Sequence, residues 1–262
     1  MHEALPEVQT FKSFDGTNIA YYDSCGDDYP IIVLHGLLSR ASAMTRLISL
    51  LGKRGLRGIG VDIRGHGNSD APENSGAYLN QAMARDIIAL GEHLELNKYA
   101  ISAYGLGCEL TARCANLDAP ITHAVMCGWG GAPTDQLDLY ASKEWHAQAI
   151  RLAEGLETDN PEAITDDMAR AWRGAADNNG TNRFALAARL RSGDSGEPGL
   201  NPLNIDVPVL VICGEEDKDP HEFAAALPNA TGKVVRGGHA TAARDPELFV
   251  AAADFLAKEV SQ

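Results

Sequence analysis

The chain has 262 residues, 45% of them apolar, and carries 36 Asp and Glu against 22 Lys and Arg, a net charge of −14. That length buries a core without staples, no stretch approaches the roughly 20 apolar residues of a membrane span, and so acidic a surface disfavours nucleic acid and anionic lipid as partners. The five cysteines have no CxxC or metal-ligand spacing, and Met1–Pro6 lacks the basic start and apolar run of a signal peptide, so reduced thiols and a soluble, cytoplasmic protein are expected.

Residues Val8–Phe14 and Asn18–Tyr22 alternate like an antiparallel pair joined by an Asp15-Gly16 turn. Ile31-Ile32-Val33-Leu34 is a continuous apolar run, the pattern of a strand buried on both faces. Helical spacing follows over Ala41–Leu51, then a strand at Gly58–Asp62 and a helix over Leu79–Leu94. Next come a strand at Tyr99–Ala103, a helix over Leu106–Asn116 and a strand at Ala124–Cys127. From about Ala132 to Ile205 the spacing is helical, with breaks near Asn160-Pro161 and Asn178-Asn179-Gly180. Strands return at Val207–Cys213 and Lys233–Val235, and a last helix runs over Pro246–Lys258.

This order predicts an α/β class fold: a mostly parallel central sheet with helices on both faces. The helical stretch between strands predicts an inserted cap at 132–203 over a core of 1–131 and 204–262.

Several segments fall at the carboxyl ends of predicted strands, where an open α/β sheet places its ligand site. They are His35-Gly36-Leu37, the run Asp62-Ile63-Arg64-Gly65-His66-Gly67-Asn68-Ser69, the junction Ala103-Tyr104-Gly105-Leu106-Gly107, the turn Gly214-Glu215-Glu216-Asp217, and Gly238-His239. In this order and context they resemble the α/β-hydrolase family over nearly the whole chain. The D-x-R-G-H-G-x-S run is the most specific part, being shared with capped bacterial esterases, lactonases and relatives of the proline iminopeptidases.

The resemblance implies an acid at Asp217, a base at His239, and oxyanion-hole amides at Leu37 and Leu106, in the family's order of nucleophile, acid and base. It also implies His35, Gly36, Tyr104 and Trp129 near the substrate. Glu216, Asp219 and Asp135 are the competing acid positions. No metal-ligand spacing, nucleotide loop or attachment motif is present, so no cofactor is expected, and the partner implied is a small-molecule substrate or ligand.

The family's nucleophile elbow reads small-x-Ser-x-small, and here Gly105 stands at its centre. Acyl transfer needs a hydroxyl whose proton the base takes, and glycine has none. The backbone loses nothing, because glycine adopts the strained elbow conformation freely. Ser102 lies in the strand, Cys108 is expected to face the sheet, and no other Gly-x-Ser-x-Gly exists.

Three readings stay open. The chain is an ester- or lactone-directed serine hydrolase whose nucleophile has been replaced; or a working enzyme in which His239 and Asp217 activate water or substrate; or a binding protein on the hydrolase scaffold, as in N-myc downstream-regulated-type relatives. Arg64 and His66 are read as stabilising their turn. His123, His146 and His221 are read as surface residues, and Trp145 and Trp172 as cap core or pocket roof.

Overall fold

The computed structural model describes residues 5–79, 81–131, 142–193, 201 and 204–261. Among them, strands β1 Val8–Lys12, β2 Asn18–Asp23, β3 Tyr29–Leu34, β4 Leu56–Val61, β5 Tyr99–Tyr104, β6 Ile121–Cys127, β7 Val209–Gly214 and β8 Ala230–Val235 form one sheet. Its order is β1-β2-β4-β3-β5-β6-β7-β8. The β1–β2 and β2–β4 pairs are antiparallel, and every other pair is parallel.

Alternation along the apolar strands feeds two cores. Ile32 and Leu34 of β3 join one cluster, with helices α2 (Ala82–His93), α3 (Leu106–Asn116) and α7 (Pro220–Ala225). Ile31 and Val33 join the other, with α1 (Thr45–Gly52) and α8 (Pro246–Glu259). Helices cover both faces, which is why the central strands read as unbroken apolar runs.

Small differences from the sequence reading have local causes. The helix expected from Leu79 begins at Ala82, because Gln81 takes a left-handed φ of +57° at its N-cap. The helix expected from Ala41 opens as a turn of 3-10 helix before α1. The six-residue α7 has too few turns to show a period; it is set by Pro220 and by Asp219, whose side chain accepts from the His221 amide at 2.9 Å.

Between β6 and β7 lie α4 (Lys143–Glu157), α5 (Asp167–Asn179) and α6 (Arg183–Ser192). Ser142, Asp166 and Asn182 cap them, each side chain accepting from a first-turn amide. The expected breaks coincide with a 3-10 turn at Pro161–Ala163 and with Gly180 at φ +61°. These helices bury their own cluster around Leu152, Leu156, Ala176 and Leu186, and it packs against Leu37 and Leu38 in the loop after β3. No helix among the described residues is long and apolar enough to cross a membrane.

From β3 the chain steps to β4 on one side and then returns to β5 on the other. Loops leaving β3 and β5 therefore diverge, and a crevice opens at their carboxyl ends.

Candidate active site

A cavity of about 770 Å³ fills that crevice, walled by the loops after β3, β5, β6, β7 and β8 and roofed by α4–α6. Gly36, Leu37, Tyr104, Gly105, Leu106 and Trp129 line it, together with Asp217 and His239. The expected positions are thus brought together, apart from His35.

Gly105 sits between β5 and α3 at φ +49° and ψ −110°, a region that L-residues rarely occupy. The approach of helix to strand depends on small neighbours. A Cβ on Gly107 would lie 2.7 Å from the Leu34 Cβ and 3.2 Å from the Ala103 Cβ. The Gly105 amide donates to the Cys127 carbonyl at 2.9 Å, which ties the elbow to β6. Leu106 opens α3, so its N–H belongs to the first turn, whose amides have no partner within the helix.

His239 follows β8 and Asp217 follows β7. His239 Nδ1 lies 3.0 Å from Asp217 Oδ2, while Asp217 Oδ1 accepts from the Lys218 amide at 2.8 Å. The carboxylate therefore fixes the tautomer, keeping the proton on Nδ1 and leaving Nε2 as the acceptor. Nε2 faces the elbow: a Cβ on Gly105 would stand 3.6 Å from it and 3.8 Å from the Gly36 Cα. The Tyr104 hydroxyl donates to the His239 carbonyl at 2.7 Å and holds the loop against β5. Burial raises the pKa of that phenol, so it serves as a neutral donor. The His239 side chain is 60% exposed, so water reaches the ring directly.

The D-x-R-G-H-G-x-S run braces the loop after β3. Asp62 accepts from the Ala41 amide at 2.8 Å and from the Asn68 amide and the Tyr22 hydroxyl at 2.9 Å each. Arg64 is fully buried and bonds Asp86, Asp15 and the Ala77 carbonyl. His66 Nε2 is hydrogen-bonded to the Leu37 carbonyl, and its Nδ1 is 3.1 Å from the Arg64 carbonyl. Burial pulls the His66 pKa down, so the neutral ring spends its single proton on the nearer carbonyl, that of Leu37. The turn that presents the Leu37 amide is thereby pinned from behind.

His35 departs from the expectation that it meets substrate. It is completely buried and off the cavity wall; Nδ1 donates to the Gly36 carbonyl at 2.8 Å and Nε2 accepts from the Ile63 amide at 3.1 Å. Burial, reinforced by the neighbouring His66, pulls its pKa to about 3. It is a neutral spacer joining the two loops.

The other candidates separate cleanly. Asp219 spends its carboxylate on the α7 cap, while Glu216 is exposed; Asp135 lies outside the described residues. Ser102 and Cys108 are buried and absent from the cavity wall, and burial drives the Cys108 thiol well above its ordinary pKa. Trp145 and Trp172 line the roof, as does His146, which is exposed as the sequence suggested. Sequence reasoning missed Glu109 and Arg189, both buried and both on the cavity wall. A signal existed for the first: Glu109 and Arg113 are opposite charges four apart in a helix with no other charged residue.

Comparison with known proteins agrees with this architecture. A family model described as the alpha/beta hydrolase family matches residues 31–252. A Bacillus subtilis (strain 168) protein, named as a candidate 2-succinyl-6-hydroxy-2,4-cyclohexadiene-1-carboxylate synthase, is 26% identical over 84% of this chain and 86% of its own. Among solved structures, a thermophilic esterase from Thermogutta terrifontis is similar with a TM-score of 0.77 at 20% identity, covering 96% of this chain and 98% of that one. The enol-lactonase from Burkholderia xenovorans LB400 is similar with a TM-score of 0.68 at 19% identity, covering 97% and 100%.

Proposed function

The chain belongs to the alpha/beta hydrolase family, and we propose that it acts on a small ester- or lactone-like substrate through a general-base site with no covalent step at the elbow. The observation that carries this is the His239–Asp217 contact of 3.0 Å with Nε2 turned to a glycine. We assign the base to His239, its orienting acid to Asp217, and oxyanion stabilisation to the Leu37 and Leu106 amides. We assign residues 132–203 to a cap over a core of 1–131 and 204–262. The names of the esterase and the enol-lactonase support the choice of substrate class.

A water accepting the role of the missing hydroxyl is activated by hydrogen-bonding to Nε2. As it attacks the carbonyl carbon, its proton passes to Nε2, and the carbonyl oxygen takes up charge facing the two amides. Asp217 stabilises the imidazolium while staying ionised itself. Collapse of the tetrahedral intermediate breaks the bond to the leaving oxygen, which receives the proton back from His239. Trp129, Trp145 and Trp172 supply apolar wall for the non-reacting part of the substrate.

The test compares the unmodified chain with His239→Ala on p-nitrophenyl esters and on γ- and δ-lactones. We expect slow turnover without a burst, and a loss of about 10²–10⁴-fold in kcat/KM in the variant. A chain that is inert on the panel, or one whose turnover survives His239→Ala, overturns the proposal. An inert chain stabilised by a ligand belongs with non-catalytic binders of this fold.

A further inference from the structure

The cavity carries charge away from the His239–Asp217 pair. Arg189 of α6 is 5% exposed and Glu109 of α3 is 2% exposed, and both line the cavity. Glu109 gives its shorter contact, 3.0 Å, to Arg113; Arg189 Nη2 reaches the two carboxylate oxygens only at 3.3 Å each. Among the described residues, Arg189 Nε is buried with no hydrogen-bond partner. The indole N–H of Trp129, also on the cavity wall, has none either. Unpartnered buried donors are costly, and two belong to residues that line the cavity. Among the described residues, Glu109 is the one carboxylate bonded to Arg189, and it is shared with Arg113; a guanidinium so placed is under-compensated, and its geometry suits a planar oxyanion.

We propose that Arg189, aided by the Trp129 indole, forms a subsite for a carboxylate on the substrate. Glu109 stands four residues beyond Gly105, so the subsite begins about 6 Å along α3 from the elbow at 1.5 Å per residue. The substrate class is then an ester or lactone carrying a free carboxylate a few bonds from the reacting carbonyl, such as the half-ester of a short dicarboxylic acid. In a chain of net charge −14, a buried arginine selects an anion that the surface field alone would repel. This specificity rests on the ester- or lactone-directed reading above, but the anion site is testable without turnover.

The experiment titrates 5-oxohexanoate and its uncharged analogue 2-hexanone into the full chain by calorimetry at fixed ionic strength. Each offers a ketone to the oxyanion amides and nothing to hydrolyse. The keto acid is expected to bind about ten- to a hundredfold more tightly, the range for a charge-assisted hydrogen bond. Arg189→Gln should erase the difference; Glu109 keeps Arg113 in that variant, so its carboxylate is not stranded. Glu109→Gln should tighten the keto acid and leave 2-hexanone unchanged, because it frees Arg189. Equal binding of the two probes, an anion preference that survives Arg189→Gln, or no gain in Glu109→Gln overturns the subsite. Should Arg189→Gln fail to fold, the Glu109→Gln titration decides alone. Anion-selective binding in a chain inert on esters and lactones sinks the catalytic reading and spares the subsite; turnover indifferent to substrate charge does the reverse.

Discussion

Gly105→Ser is the perturbation that the site geometry constrains most tightly. The nearest atom to a Cβ at this position is His239 Nε2 at 3.6 Å, an ordinary contact, so the cost of the added side chain is conformational rather than steric. At φ +49° and ψ −110°, strain of about 1–3 kcal/mol applies to a non-glycine residue. For a domain of this size that lowers Tm by roughly 2–12 °C. In return Oγ, one bond beyond Cβ, comes within reach of Nε2, which Asp217 already holds in the accepting tautomer. Stopped-flow release of p-nitrophenol from a short-chain ester should then show a burst approaching one equivalent per chain. The rise in kcat should be at least about 10²-fold, with the roughly 10⁶ separating triad and nucleophile-free serine proteases as its ceiling. A folded variant with no burst would show that the elbow does not aim its side chain at His239. A fall in Tm far beyond the stated range would show that the space at Gly105 is not free.

Two further outcomes follow from the scaffold around the site. His35 is held neutral with a pKa of about 3, whereas the unfolded chain binds this proton near pH 6.5; stability is therefore complete above pH 6.5 and lost as pH falls from there toward 3. Urea melts at pH 7.5 and 5.5 should differ by about 1.4 kcal/mol from this residue alone, with His66 adding in the same direction, and His35→Gln should reduce the slope; an unchanged slope refutes the assignment. Gly107→Ala places a methyl 2.7 Å from the Leu34 Cβ and 3.0 Å from its carbonyl oxygen, and overpacking of this kind should cost about 1–3 kcal/mol in a urea melt, with neutrality counting against the close strand–helix approach.

Much of the frame is legible locally. The strands β3 and β5 announce themselves as apolar runs, and α3 runs over Leu106–Asn116 as its spacing implies, because burial on both sheet faces and on a helix stripe imposes a period that a single segment displays. The elbow, too, is readable: Ala103 and Gly107 are small where strand meets helix, and the missing hydroxyl at Gly105 is a fact of sequence. Helix α7 escaped because six residues hold fewer than two turns. His35 was misplaced because a His-Gly turn at a strand end looks alike whether its ring faces ligand or core; burial beneath the loops chose the core.

What the sequence by itself determined, then, is the order of the strands and of the longer helices, the glycine at the elbow, and which loops end at the sheet's carboxyl edge. Only the tertiary structure decided that His239 Nε2 faces that glycine, that His66 clamps the Leu37 turn, and that Arg189 meets Glu109 from 80 residues away. The physical reason is range: periodicity is enforced within one segment by its own burial, whereas a meeting of side chains from different segments depends on how the helices of the insertion lie across the ends of the strands.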